Sequence, residues 1–217
     1  MRYLLDAVGR QRLSLSEYEA DFYTTVESTD GTILKTERMQ TFREPDSPSW
    51  EAYADGRWED ALRIAAEPNP ELAAFFEHLE QLGSGLRRLR VVELPLTPYL
   101  IWELHFLRYR AEAGEQIRVV DARSVSDWEA AAGTVPELMV VGHQAVYEVL
   151  YDPSGWPIGA EKSVEPMVVD ACRTEVLTLL EGAEPFESFF RREASGARPT
   201  VPLASMPPAA TEREQAG

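Results

Sequence analysis

The 217-residue chain has a single cysteine, Cys172, and only two lysines, Lys35 and Lys162, among its 21 basic residues. One cysteine excludes an intrachain disulfide and favours a reducing, cytoplasmic setting. Three histidines, His78, His105 and His143, are scattered without ligand spacing, so no zinc site is expected, and no motif calls for a cofactor. Two lysines leave few candidates for Schiff-base chemistry or for a phosphate-clamping amine. No apolar run approaches the ~20 residues of a membrane span. The opening Met1-Arg2-Tyr3-Leu4-Leu5-Asp6 places charges where the apolar core of a signal peptide would lie, so neither membrane nor export is expected.

Catalytic signatures are scarce too. There is no Gly-x-Ser-x-Gly elbow. Gly83-Ser84-Gly85 precedes a strand-like run, whereas a phosphate-cradling loop follows a strand and opens a helix; it reads as a helix stop. Cys172 sits among Val168, Val169 and Val176, the surroundings of a buried inert thiol rather than a nucleophile. His143, in a tight turn, is a weak acid–base candidate.

Acid is abundant: 37 Asp and Glu against 21 bases give −16. Generic attraction to nucleic-acid phosphate is disfavoured, and no direct nucleic-acid binding is expected. The charge is uneven. Residues 1–86 carry 8 bases and 17 acids, residues 129–194 carry 4 and 12, but residues 87–128 carry 7 and 6. That middle segment is where an anionic ligand would be tolerated; alternatively, Arg87, Arg88 and Arg90 solvate a strand edge.

Residues 1–27 read as helical, with Ser16 as an N-cap before Glu17 and Glu19. Residues 33–42 lean towards strand. Residues 49–82 read as helix, interrupted at Pro68 and Pro70 and closed by Gly83. A strand at 86–94, a helix from Thr97-Pro98 to about Ala113 and a strand at 117–121 predict one βαβ unit with parallel strands. A loop holding Trp128 follows. Strands at 138–141, 145–151 and 156–161 form an antiparallel meander, the last an edge strand because of Pro157. Helices at 166–180 and around Phe186–Phe190 close the fold. The expected class is mixed α/β (α+β): a mixed sheet with helices packed around it. One globular domain spans 1–194 with a helical N-terminal extension over 1–30, and residues 195–217 form a disordered, Pro/Ala/Glu-rich tail.

The helix at 98–112 is unusual. On a helical wheel Leu100, Leu104, Leu107 and Ala111 form one apolar stripe, and Tyr99, Trp102, Phe106 and Tyr109 another. Glu103 and Arg110 occupy the gap between them, while His105, Arg108 and Glu112 mark a wet side. A helix apolar on most of its circumference packs between a sheet and a second helical layer. Glu103 and Arg110 are two turns apart, too far for a close pair, so each finds a partner elsewhere, such as Arg90 or Glu93. Either these charges form a satisfied buried network, or they line a pocket for a small polar ligand.

The run Leu89-Arg90-Val91-Val92-Glu93-Leu94-Pro95-Leu96-Thr97-Pro98-Tyr99, then Trp102-Glu103, then Gly114-Glu115-Gln116-Ile117-Arg118, with a later turn Tyr151-Asp152-Pro153-Ser154-Gly155, resembles an uncharacterised actinobacterial family, domain of unknown function 6879. The likeness covers about residues 35–190. It implies a fold distantly similar to half of a phospholipase D-like domain, and genes often placed beside helix-turn-helix regulators. The His-x-Lys signature of phospholipase D is missing, since Gln144 and Ala145 follow His143, which points away from phosphodiester hydrolysis. The first expectation is therefore a non-catalytic regulatory or protein-interaction module, partnering a helix-turn-helix regulator. The alternative is a small-molecule enzyme or sensor with its pocket beside helix 97–113, and candidate ligand-binding residues Arg90, Glu93, Tyr99, Trp102, Glu103, Arg110 and Arg118.

Overall fold

The computed structural model describes residues 1–199 except 7, 30 and 45, and residues 2 and 3 by their backbone. Residues 200–217, most of the expected tail, lie outside it. In chain order the elements are α1 (Arg2–Asp6), β1 (Gln11–Leu13), α2 (Leu15–Val26), β2 (Ile33–Glu37), α3 (Pro48–Ala54), α4 (Trp58–Ala65), α5 (Pro70–Gln81), β3 (Leu86–Val92), α6 (Pro98–Glu112), β4 (Gln116–Asp121), α7 (Ala122–Ala132), β5 (Leu138–Val141), β6 (Ala145–Tyr151), β7 (Pro157–Ser163), α8 (Pro166–Gly182), β8 (Glu184–Pro185) and α9 (Phe186–Glu193).

One eight-stranded mixed sheet runs in the order β1-β7-β6-β5-β2-β3-β4-β8. β2, β3 and β4 are parallel and every other pairing is antiparallel. Parallel neighbours need crossovers, supplied by α3–α5 between β2 and β3 and by α6 between β3 and β4. Alternation along the strands sorts side chains between two faces. Leu34, Leu89, Val91, Val140 and Val146 meet α8 and α1 on one face. On the other, Ile33, Leu86, Met139 and Tyr147 meet α2 and α5, and Val92, Ile117 and Val119 meet α6 and α9. A third layer of aromatic side chains from α3 and α4 covers the outer side of α6.

Several local expectations need correction. The first 27 residues are not continuously helical: Gln11–Leu13 pairs with Ala160–Lys162 as an edge strand. Ser14, not Ser16, caps α2: Ser14 and Glu17 complete a reciprocal capping box, and Ser16 already lies within the helix. The segment holding Trp128, expected as a loop, is α7, capped by the Asp121 carboxylate and anchored by Val125 and Trp128 on the core. β7 is not an edge strand, since β1 covers it; Pro157 is tolerated because it opens the strand, beyond the residues that β1 pairs.

Candidate functional site: a charged cavity between the sheet and helix α6

α6 starts where Thr97 accepts a hydrogen bond from the Leu100 N–H, with Pro98 in the first turn. Its leucines face the sheet-side core. Trp102 stacks on Tyr53 of α3 at 5.9 Å and donates to Ser49 Oγ at 3.0 Å. The expected wet side is narrower than the wheel suggested. His105 is 8% exposed, packed edge-on between Trp58 and Phe190, because α9 returns to cover it. Glu112 is exposed.

Under α6 the two central strands carry charge inward. Register places Lys35 beside Arg88 and Glu37 beside Arg90, all on the face that meets α6. Arg88 donates from Nη1 to Glu37 and from Nε to Glu115, each at 2.5 Å. Lys35 lies 2.8 Å from the second Glu37 oxygen, and Arg110 Nε is 2.5 Å from the second Glu115 oxygen. Arg90 Nε donates to Glu103 at 2.7 Å, and its Nη1 reaches the backbone oxygens of Glu37 and Val91. Tyr99 Oη donates to Glu44 at 2.6 Å and lies 3.3 Å from the free Glu103 oxygen. The middle of the sheet thus holds four bases (Lys35, Arg88, Arg90, Arg110) and four acids (Glu37, Glu44, Glu103, Glu115) in one hydrogen-bonded mesh.

The acids are not equivalent. Burial alone would raise them all. At Glu37 the Arg88, Lys35 and Arg90 charges outweigh burial and hold the carboxyl well below its ordinary value. At Glu115 Arg88 and Arg110 do the same, drawing it down to about 2. At Glu103 burial wins, reinforced by the Glu37 charge against Arg90, and the carboxyl is pushed up to about 7. Burial raises Glu44 as well, despite the Tyr99 hydrogen bond. Two acids are held ionised by their cations and two are drawn towards neutrality by burial.

A cavity of about 150 Å³ opens against this mesh, lined by Lys35, Glu37, Glu44, Arg88, Glu103 and Arg110, with Phe42, Trp102, Phe106, Leu107 and Tyr151 as its apolar walls. A cavity of about this volume holds a benzene-sized molecule. Of the acids bordering it, Glu37 has both oxygens on protein cations, Glu103 has one oxygen on Arg90 and the other beside Tyr99, and Glu44 accepts from Tyr99. The cations keep donors in hand: Lys35 pairs with Glu37 alone, and Nη2 of Arg88 and both Nη groups of Arg110 take no partner among the described residues. The cavity thus offers a ligand the spare N–H groups of three cations, with the Glu44 carboxylate beside them.

Of the residues singled out from the sequence, Trp102, Glu103 and Arg110 line the cavity, while Arg90 and Tyr99 hold Glu103 from behind. Glu93 is elsewhere, on the surface 2.7 Å from Arg38. Arg118 points to the opposite face, where it donates to the Ala183 carbonyl. Sequence reasoning missed Lys35, Glu37, Glu44 and Glu115; Arg88 and Arg90, for which solvation of a strand edge was the alternative, are instead buried on an interior strand of the sheet. A readable signal existed in β2 and β3: charges at every second position, 35 and 37, 88 and 90, opposite the apolar Leu34, Leu89 and Val91. Among the described residues no cluster of three or more His, Cys, Asp or Glu could hold a metal ion, and no helix is long and apolar enough to cross a membrane.

The fold and site define a mixed α/β domain with a charged cavity between its sheet and a crossover helix. Residues 20–191 match the family described as a domain of unknown function (DUF6879), and the chain belongs to that family. No curated protein matches the sequence. Among solved structures the chain is similar to TrmBL2, an archaeal chromatin protein described as showing a novel mode of DNA binding, with a TM-score of 0.42 and 11% identity over 82% of this chain and 52% of that one. The chain spans about half the length of that protein. The expectation of no direct nucleic-acid binding, drawn from net charge, is corrected here: a DNA-binding protein stands among the structural matches, and a sum over the whole chain does not fix the field over one face.

Proposed function

We propose that the protein is a small-molecule-binding domain, a sensor whose cytoplasmic role is regulatory, with its ligand seated in the cavity between the β2–β3 face and α6. One observation carries the reading. Lys35, Arg88 and Arg110 surround the cavity with unspent N–H donors, while Glu37 and Glu115, which hold them in place, have both oxygens engaged. Burying five ionisable groups (Glu37, Arg88, Arg90, Glu103 and Glu115), with three more half-buried, costs stability that an apolar core would not, and perturbed groups gathered at a cavity point to a functional site. An anionic group bound there accepts from the spare donors and ties β2, β3 and α6 together, which supplies a ligand-dependent signal. Cys172 is outside the site: it lies on the other face of the sheet with its thiol pushed up to about 11 by burial.

The test is thermal denaturation of the full chain with acetate, succinate or inorganic phosphate, each matched in ionic strength by sodium chloride. A melting temperature raised by the anions, with the rise lost in Lys35→Gln and Arg110→Gln, supports the site. Identical curves for every anion, in parent and variants alike, would overturn it.

A further inference from the structure

A second cavity, of about 680 Å³, lies directly beside the first. One wall is the α4–α5 connection, with Ile64, Pro68 and Leu72; the other is α6, with Phe106, Tyr109 and Ala113. Phe106 and Arg110 border both cavities. They are one helical turn apart, so the Phe106 ring and the Arg110 guanidinium stand side by side as a common partition. Arg110 is fixed through Nε by the Glu115 carboxylate, which leaves its Nη groups at the junction. The exposed rim of the larger cavity carries Asp46, Glu67, Glu71 and Glu112.

We infer that the two cavities form one bipartite site for an amphiphilic monoanion. The acidic group sits among Lys35, Arg88 and Arg110, and an uncharged hydrocarbon body crosses Phe106 into the larger groove. The inference rests on the reading of the charged cavity as a ligand site and adds the ligand class. Three observations choose this occupant. The head cavity presents the spare N–H donors of Lys35, Arg88 and Arg110, which favour an acid over an amine. Its volume holds little beyond a head group, so the body of a longer ligand lies outside it. The groove beyond is apolar at its floor and acidic at its rim, so a second carboxylate at the far end is repelled while a plain alkyl or aryl body is accepted. Recognition of this kind, a few convergent polar groups and an apolar remainder, is how small-molecule sites divide orientation from affinity.

Calorimetric titration of the full chain with acetate, octanoate, octanedioate and octylammonium, all below micelle formation, tests the inference. Octanoate is expected to bind about tenfold or more tighter than acetate, since each buried methylene adds affinity, and tighter than octanedioate; octylammonium is not expected to bind. Ala73→Trp fills the groove from an exposed position on α5 and is expected to remove the gain from chain length while keeping the acetate response. Arg110→Gln is expected to weaken acetate and octanoate together. Acetate binding with no chain-length gain, or a gain that survives Ala73→Trp, overturns the bipartite site and leaves the charged cavity standing. Octylammonium binding as well as octanoate overturns the selection for an acidic head. Failure of every carboxylate to bind overturns both readings.

Discussion

Arg90 and Glu103, thirteen residues apart, meet at 2.7 Å with the guanidinium wholly buried, and this contact joins a central strand of the sheet to α6. Arg90 Nη2 has no partner among the described residues. The pair is thus a costly one, kept where the crossover helix lies over two strands that carry charge inward. Removing one partner is worse than replacing both, because the survivor is left charged and dry.

Glu103→Ala is therefore expected to destabilise the protein by about 3–5 kcal/mol, the range for breaking a buried pair. Glu112→Ala, on the same helix, removes a side chain that is 61% exposed and only 3.7 Å from Arg108; its cost should lie within about 0–1 kcal/mol. Urea midpoints of the two variants compare them directly. Equal midpoints would mean that Glu103 contributes no more than a surface carboxylate.

The Glu103 carboxyl also sets a pH dependence. Its folded-state value of about 7 stands above the ordinary 4.5. A raised acid contributes stability that is complete below pH 4.5 and is lost as pH rises through 7. The groups facing it are Arg90, Arg88, Glu37 and Tyr99. Measured as the difference in unfolding free energy between parent and Glu103→Gln, the parent should lose up to about 3 kcal/mol relative to the variant between pH 4.5 and 8. Glu137, likewise pushed up to about 7 by burial, remains in both proteins and cancels. Glu115, drawn down to about 2, acts in the opposite direction and only as pH falls below 4.5. A difference that stays flat from pH 4.5 to 8 would falsify the raised Glu103.

Much of the fold was legible because its signals are local. Thr97-Pro98 fixes the start of α6, the Val-rich runs fix β3 to β5, and Gly83 and Pro68 punctuate the helices. The weaker points are those where a distant segment decides. β1 is three residues long, and its pairing is with residues about 150 positions away. His105 lies on the polar arc of the wheel, but α9 closes over it. At the site, the helix disclosed Trp102, Glu103 and Arg110 through its wheel. Lys35 and Arg88 became neighbours only through the parallel register of β2 and β3, which no local pattern specifies. Glu93 and Arg118 share a motif with the site yet point elsewhere, Arg118 because successive strand residues alternate faces.

The cap of α2 separates two serines that the sequence leaves nearly equivalent. Ser14 Oγ accepts from the Glu17 N–H, and Glu17 returns a bond to the Ser14 N–H at 2.8 Å. Ser14→Ala is expected to cost about 1 kcal/mol, within the 0.5–2 range for N-caps, and Ser16→Ala a few tenths at most. Thermal melts at one pH suffice; a larger loss for Ser16→Ala would return the cap to that residue.

The last expectation concerns how β1 reaches the sheet. Gly159 in β7 has φ +129°, a backbone state that side chains strongly disfavour, and a Cβ there would stand 2.1 Å from the Leu13 carbonyl oxygen. The obstructing atoms are backbone, so no rotamer relieves the contact. Leu13 pairs with Ala160 one residue along, and Ser14 immediately caps α2, so anything that pushes β1 away also disturbs the start of that helix. Gly159→Ala should thus cost at least about 2 kcal/mol, the strain of the backbone state plus the displaced strand. Gly182→Ala, at the end of α8 with nothing within 4 Å of the added carbon, should be neutral or slightly stabilising. Amide exchange locates the damage: in Gly159→Ala the Leu13–Ala160 ladder and the first turn of α2 should lose protection, while β2, β3 and α6 keep theirs. Retained protection at Leu13 with an unchanged melting temperature would show that the strand accommodates a side chain at position 159 and that the close approach is not what selects glycine.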